Sequence, residues 1–539
     1  MGSLGWLLLT GLLAGLVLVP VLFVVSSVWS DTHQIWQHLV DTVLGRYIRN
    51  SLLLMLGVGI GSLVIGVTTA WLVSMCQFPM RGWMEWGLLL PLAAPAYVLA
   101  YVYTDFLQFT GPLQTQLRQW LGWSVHDYWF PNIRSLPGAM ALLTLVLYPY
   151  VYLVARVAFL EQSTCILEVS RSLGQGPWRS FWRVALPLAR PSVVAGLALA
   201  LMETLNDFGT VQYFGVETFT TGIYRTWFGF GERVAAAQLA AFLLLFVLIL
   251  LLIEQVFRQR ARYHQVGGQH PLPRYPLKGL RAWAAGLACG IPILLGFLLP
   301  AGLLLRLALE NPSQTLNART WLYGSHSLLL AGISACLAVV LALLMAYGVR
   351  LYPVVSLQLT VRLAAMGYAL PGSVIAVGVL IPLGRLDNWV DGWMRQYLGV
   401  STGLLLSGTI TALIFAYLVR FLAVAFHTVE AGLTKIKPHL DEAARSLGGD
   451  AGQILRRIHA PLLGGSLLTS ALLVFVDVMK ELPATMVIRP FNFDTLAVRA
   501  YQLAADERLT EAAGPALAIV AVGLLPVIIL SWQITRTAR

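Results

Sequence analysis

Long apolar runs alternate with short polar loops along the whole chain. A membrane span needs about 20 consecutive apolar residues. Twelve runs reach that length, at roughly 4–28, 50–75, 86–108, 137–160, 191–214, 234–257, 282–305, 325–349, 359–383, 402–427, 464–488 and 511–533. Each predicts a transmembrane helix, because only helices and closed barrels satisfy their own backbone in lipid. The first run, Leu4 to Val28, has no basic leader and no small-residue cleavage site, so it reads as a retained span.

Between the sixth and seventh runs the pattern breaks. Residues 258–281 contain Arg258, Arg260, Arg262, Arg274, Lys278 and Arg281, with Gly267, Gly268, Pro271, Pro273 and Pro276. Such a stretch reads as a basic linker held in the cytoplasm. The two flanking halves repeat each other. LEVSRSLGQG at 167–176 matches DEAARSLGGD at 441–450, an offset of 274, and at that offset Pro187 meets Pro461, Glu203 meets Asp477 and Asp207 meets Glu481. Asn50-Ser51-Leu52 matches His326-Ser327-Leu328 at an offset of 276. Six spans per half preserve orientation. The expected fold is therefore an all-α membrane protein of 12 transmembrane helices. It consists of two tandem six-helix repeats, 1–257 and 282–539, related by a pseudo-twofold axis along the membrane normal.

Composition agrees. The 539 residues are 58% hydrophobic and only 11% charged, against roughly 25% charged in soluble domains. The net charge of +11 does not indicate a nucleic-acid partner, because the basic residues sit mostly in loops. Their bias toward the side of the linker places that side, and both termini, in the cytoplasm. Cys76, Cys165, Cys289 and Cys336 form no CxxC pair and lie in or beside apolar segments, so they read as small buried apolar groups.

The chemistry sits in the two long loops, 161–190 and 428–463. Each reads as a short helix, a glycine, a second short helix and a proline. In the second, Asp441 and Glu442 begin a helix, where acids are favoured, and Gly448 and Gly449 are suited to the positive φ that ends one. The order Glu-Ala-Ala, Gly six residues after the Glu, then Ile-x-Leu-Pro resembles the signature loop of permease subunits of binding-protein-dependent ABC importers. The second copy supplies Glu442, Ala443, Ala444, Arg445, Gly448, Ile458 and Pro461, with Ala460 in place of Leu. The first supplies Glu168, Arg171, Gly174, Val184, Leu186 and Pro187, with Val169 and Ser170 in place of the alanines.

The resemblance implies that each loop is a coupling helix seated on an ATPase. It implies two copies of an ABC ATPase subunit and a periplasmic substrate-binding protein as partners, and a multi-pass position in the bacterial inner membrane. ATP would be bound by the partner, with no cofactor in this chain. Residues 201–228 and 478–509 further resemble the fused permeases of ferric-iron importers. Permeases for thiamine, sulfate, phosphonate and polyamines share the architecture and stay open as alternatives, as does an ion-coupled secondary transporter with parallel repeats.

Ionisable residues inside spans cost about 2.5–3.5 kcal/mol each and face a partner or water. Glu203 and Asp207, like Asp477 and Glu481, are four residues apart, so each pair is expected on one helix face. Two roles are open: a ring of hard oxygen ligands for a cation such as Fe(III), or structure and gating, with Lys480 neutralising one carboxylate. No metal site is assigned. Asp105 reads as an outer-interface carboxylate. Tyr97, Tyr101, Tyr103, Trp120, Trp123 and Trp129 read as an aromatic belt, and Pro91, Pro95 and Pro371 as kinks. Gly57, Gly59, Gly61 and Gly66 lack the strand context of a nucleotide fingerprint and read as close helix packing. No GxxxxGK[ST], HExxH or GxSxG stretch occurs, so the chain is expected not to be an enzyme.

Overall fold

The computed structural model describes residues 3–537 except 31–32, 125–126, 161–175, 260–273, 316 and 438. The main helices are α1 (Ser3–Ser26), α2 (Gly45–Met75), α3 (Ala96–Leu107), α4 (Leu136–Leu160), α5 (Leu186–Asn206), α6 (Gly209–Tyr213) and α7 (Arg233–Gln259). They continue with α8 (Leu280–Glu310), α9 (Ala318–Leu351), α10 (Gly372–Leu398), α11 (Ile410–Thr434) and α12 (His439–Ser446). The last are α13 (Gly464–Met479), α14 (Pro483–Ile488), α15 (Leu496–Ala505) and α16 (Leu509–Thr537). Ten helices are long and apolar enough to span a membrane, or up to 12 if two sharply bent pairs each count as one.

Both bent pairs have local causes. The third expected span turns by 94° between Arg81–Ala93 and Ala96–Leu121, at Pro95, which adopts extended dihedrals before α3. Proline lacks the N–H to continue a helix. Pro371 acts likewise before α10, so the expected span 359–383 is broken and the spanning helix is Gly372–Leu398. The second bent pair turns by 77° between Ala451–Leu462 and Gly464–Met479, at the two glycines after Leu463.

Contacts sort the chain into two compact units. One comprises Met1–His38, Gly222–Leu244 and Asn317–Arg499, the other Leu39–Thr221, Leu245–Leu316 and Ala500–Arg539. This division differs from the sequence halves, because α1 packs with α9 and α10, and α8 and α16 with the earlier segments.

In the unit holding α2 and α4, small residues let backbones meet. A methyl group added at Gly66 would lie 2.7 Å from Val151 Cβ and 3.0 Å from the Tyr148 carbonyl oxygen, and one at Gly61 would lie 2.6 Å from Thr144. This is the close packing that tightly associated membrane helices use. Tyr97, Tyr101 and Tyr103 are buried here, contrary to the belt expectation. Tyr101 packs on Tyr97 and Tyr213 at ring distances of 5.9 and 4.7 Å. Helix α3 follows a break and is enclosed by neighbours, so these rings fill core rather than line lipid headgroups. Trp120, Trp123 and Trp129 are exposed, as a belt requires. The end of the linker is pinned: Tyr275–Pro276 pairs in parallel with Cys76–Gln77.

The repeat is visible as recurring contacts. In one unit Asn50 donates to the Glu217 carbonyl (2.9 Å). In the other, His326, its matched position, bonds the Asp494 carbonyl through Nδ1 (3.0 Å).

Candidate functional site

The second loop forms a compact knob. Helix α12 starts at His439, two residues before the acids expected to open it. It ends by the predicted device: Gly448 takes φ +82°, and the Gly449 and Gly448 amides return to the Ala444 and Arg445 carbonyls at 3.0 Å. Asp450 then caps the next turn by accepting from the Gln453 amide (2.7 Å), with Gln453 reciprocating as a capping box. Pro461 sits in the short turn Ala460–Leu462, just before the bend into α13.

The knob has two faces. Glu442, Ala443, Arg445 and Gly448 are exposed and Ala444 is half-buried, so the signature residues point largely outward. Asp441 points inward, where the Arg350 guanidinium meets it at 2.9 Å. The Leu455 side chain packs against Trp6 and Tyr347, and the Tyr347 hydroxyl donates to the Ala451 carbonyl (2.9 Å). The loop is thus seated on α9 and α1 beneath and open above.

Of the first loop, Glu168, Arg171 and Gly174 lie outside the described residues. Pro187 lies at the start of α5, where the wide helical turn Phe181–Ala185 passes into it within the continuous helix Trp178–Asn206. Phe181, in the turn before it, packs on Trp71 at 5.0 Å.

The carboxylate pairs do not share helix faces. Helix α5 ends at Asn206, and Asp207 is its extended C-cap. The Asp207 carboxylate instead accepts from the Val211 amide (3.0 Å) and the Thr210 hydroxyl (2.9 Å), capping α6. Helix α13 likewise ends at Met479, and Glu481 lies beyond it. The spacing of four suggested continuous helices, and both break just before the second acid. Glu481 accepts from Arg420 Nη1 (2.8 Å) and from the Ala484 amide (3.0 Å). Gly372 lies over this pair, and a methyl there would come within 2.7 Å of Glu481 Oε1. Asp477 pairs with Lys480 at 3.0 Å. Glu203 is half-buried, with the Asn206 amide at 3.5 Å. Among the described residues, no group of three or more His, Cys, Asp or Glu side chains gathers as a metal site would.

Among the ion pairs absent from the sequence-based expectations, two involve arginines inside apolar runs. Arg420 pairs with Glu481, and Arg156 with Glu85. The available signal was an arginine inside an apolar run, which demands a counter-ion.

The sequence matches the family described as binding-protein-dependent transport system inner membrane component twice, over residues 62–263 and 334–539. It is 25% identical to an Fe(3+)-transport system permease protein, FbpB 2, of Haemophilus influenzae, over 97% of each chain. It is 24% identical to a ferric transport system permease protein, FbpB, of Actinobacillus pleuropneumoniae, covering 90% of this chain and 71% of that one. A molybdenum transport system permease protein, ModB, of Escherichia coli is 27% identical, covering 37% of this chain and 89% of that one.

Proposed function

Because this chain belongs to the family of binding-protein-dependent transport system inner membrane components, with two copies of the family unit, we propose that it is the fused permease of an ABC importer for ferric iron. It is a multi-pass inner-membrane transport permease. The observation that carries the ATP-driven reading is the outward face of the second loop. Glu442, Ala443, Arg445 and Gly448 are exposed on a short helix whose other face is anchored by Asp441. A knob anchored on one face and exposed on the other suits a socket on a motor subunit.

Two ATPase subunits dock on the two loops, and a periplasmic binding protein delivers cargo on the opposite side. Both termini and the linker face the cytoplasm. Motor closure moves the loops and exposes the pathway alternately to either side. Ferric iron is favoured because the relatives with ferric in their names align along most of this fused chain, whereas the molybdenum relative spans one half. The carboxylates serve as fixtures at the helix breaks: Asp207 as a cap, and Glu481 neutralised by Arg420.

The test is purification of an affinity-tagged chain from its native membrane. An ABC ATPase should co-purify, and Glu442→Arg should release it. Full uptake by the chain alone in liposomes, driven by an ion gradient, would overturn the proposal in favour of a secondary transporter.

A further inference from the structure

Arg350, in the last turn of α9, is bound through three nitrogens. Nε donates to Asp441 Oδ2 (2.9 Å), Nη1 to the Leu433 carbonyl (2.6 Å) and Nη2 to the Ile436 carbonyl (2.9 Å). Those carbonyls lie at or just past the end of α11. The other oxygen of Asp441 lies 2.6 Å from Nε2 of His459, a side chain with no solvent exposure. His459 belongs to the turn that leads into α13. Arg350 and Asp441 therefore tie three elements together, α9, the end of α11 and the knob helix α12, and His459, at the entry to α13, packs against the Asp441 carboxylate. The planar arginine fork makes this junction directional, which a lysine would not reproduce.

The first half has the apolar frame of this junction without its charges. At the repeat offsets, Tyr347 meets Trp71 and Leu455 meets Phe181, and these two positions pack together in both copies. Arg350, however, meets Ser74, Asp441 meets Leu167 and His459 meets Ala185. None of the three residues recurs at its matched position in the first half.

We propose that Arg350 is a positioning residue for ATP-driven transport. Through Asp441, with His459 against that carboxylate, it makes the second loop a stiff lever on α9, and the matched positions of the first half, Ser74, Leu167 and Ala185, carry no such groups. Two identical motor subunits would then act on unequal levers. This rests on the second loop being the motor-docking element.

The experiment has two readouts. The first is a spin label on Leu447→Cys, in a background with the four native cysteines replaced; Leu447 is 88% exposed at the end of α12. The second is the stimulation of ATP hydrolysis by the binding protein in the complex with the co-purifying ATPase. Arg350→Met should increase label mobility and lower stimulation roughly tenfold, the scale of one charge-assisted bond. Arg350→Lys should restore little of either. Combining Arg350→Met with Asp441→Asn should add nothing to the worse single variant, because both act on one junction. Ser74→Ala should leave both readouts at wild type. If Arg350→Met fails to reach the membrane, Asp441→Asn carries the same expectations. Wild-type mobility and stimulation in these variants would overturn the proposal. If Glu442→Arg abolishes stimulation while Arg350→Met does not, the junction falls and the docking role stands. If neither variant changes stimulation, the docking role falls.

Discussion

Arg420 and Glu481 lie 2.8 Å apart with side chains only 5% and 4% exposed, at the point where α13 gives way to α14. The same carboxylate accepts from the Ala484 amide, so one ion pair also caps α14. Removing only the cation strands a buried charge, at a cost of about 3–5 kcal/mol. Arg420→Met should sharply lower the folded yield and the melting temperature of the purified chain in detergent. Arg420→Met with Glu481→Leu should recover much of the loss. A double variant as unstable as the single one would contradict this role. Gly372→Ala, which crowds the pair, should fall between wild type and Arg420→Met.

Gly448 holds a left-handed backbone at φ +82°, a conformation costing a side-chain-bearing residue about 1–3 kcal/mol. Gly448→Val should distort the end of the knob while the ATPase remains bound, so hydrolysis continues and uptake falls. Gly448→Asn should be milder, because asparagine tolerates this region. Undiminished uptake by the valine variant would show that the shape of this turn is not used.

Two glycines of α2 separate steric cost from flexibility. A methyl at Gly66 meets the Tyr148 backbone oxygen and the branched carbon of Val151. A methyl at Gly57 meets Sδ and Cγ of the Met140 side chain, an unbranched chain that can change rotamer, and no backbone atom. Gly66→Ala should therefore lower thermal stability by more than Gly57→Ala does. Equal losses would mean that α2 and α4 do not pack this closely.

Asp207 separates anchoring from cation contact. Asp207→Asn keeps an acceptor for the Val211 amide and removes the charge, whereas Asp207→Ala loses a cap worth about 1 kcal/mol. Uptake by the asparagine variant should stay near wild type at normal membrane levels, and the alanine variant should be less stable. A tenfold loss of uptake in a well-folded asparagine variant would mean that the charge itself meets the cargo.

Hydropathy located all twelve apolar segments, because lipid imposes a length that composition alone reveals. It did not reveal where helices break inside those segments. Pro95 and Pro371 were expected to kink spans and instead start new helices. The breaks after Asn206 and Met479 carry no proline at the break itself, so spacing alone placed their carboxylates on faces that do not exist. The end of the knob at Gly448 was legible, since glycine after a short polar helix has one common use. The inward partners of Asp441 were not, because Arg350 and His459 lie far away in sequence and meet only in the fold. The burial of Tyr97, Tyr101 and Tyr103 was hidden for the same reason: a tyrosine near a span end reads the same whether lipid or protein surrounds it.

The most direct measurement is uptake into liposomes that contain the chain, its co-purifying ATPase and the matching binding protein. Radiolabelled ferric iron should accumulate only with ATP inside the transport-competent complex. Uptake should be lost with a hydrolysis-dead ATPase, and labelled molybdate, sulfate or thiamine should not accumulate. Accumulation of one of those solutes in place of iron would contradict a ferric importer. Iron uptake that is indifferent to ATP would contradict an ABC permease.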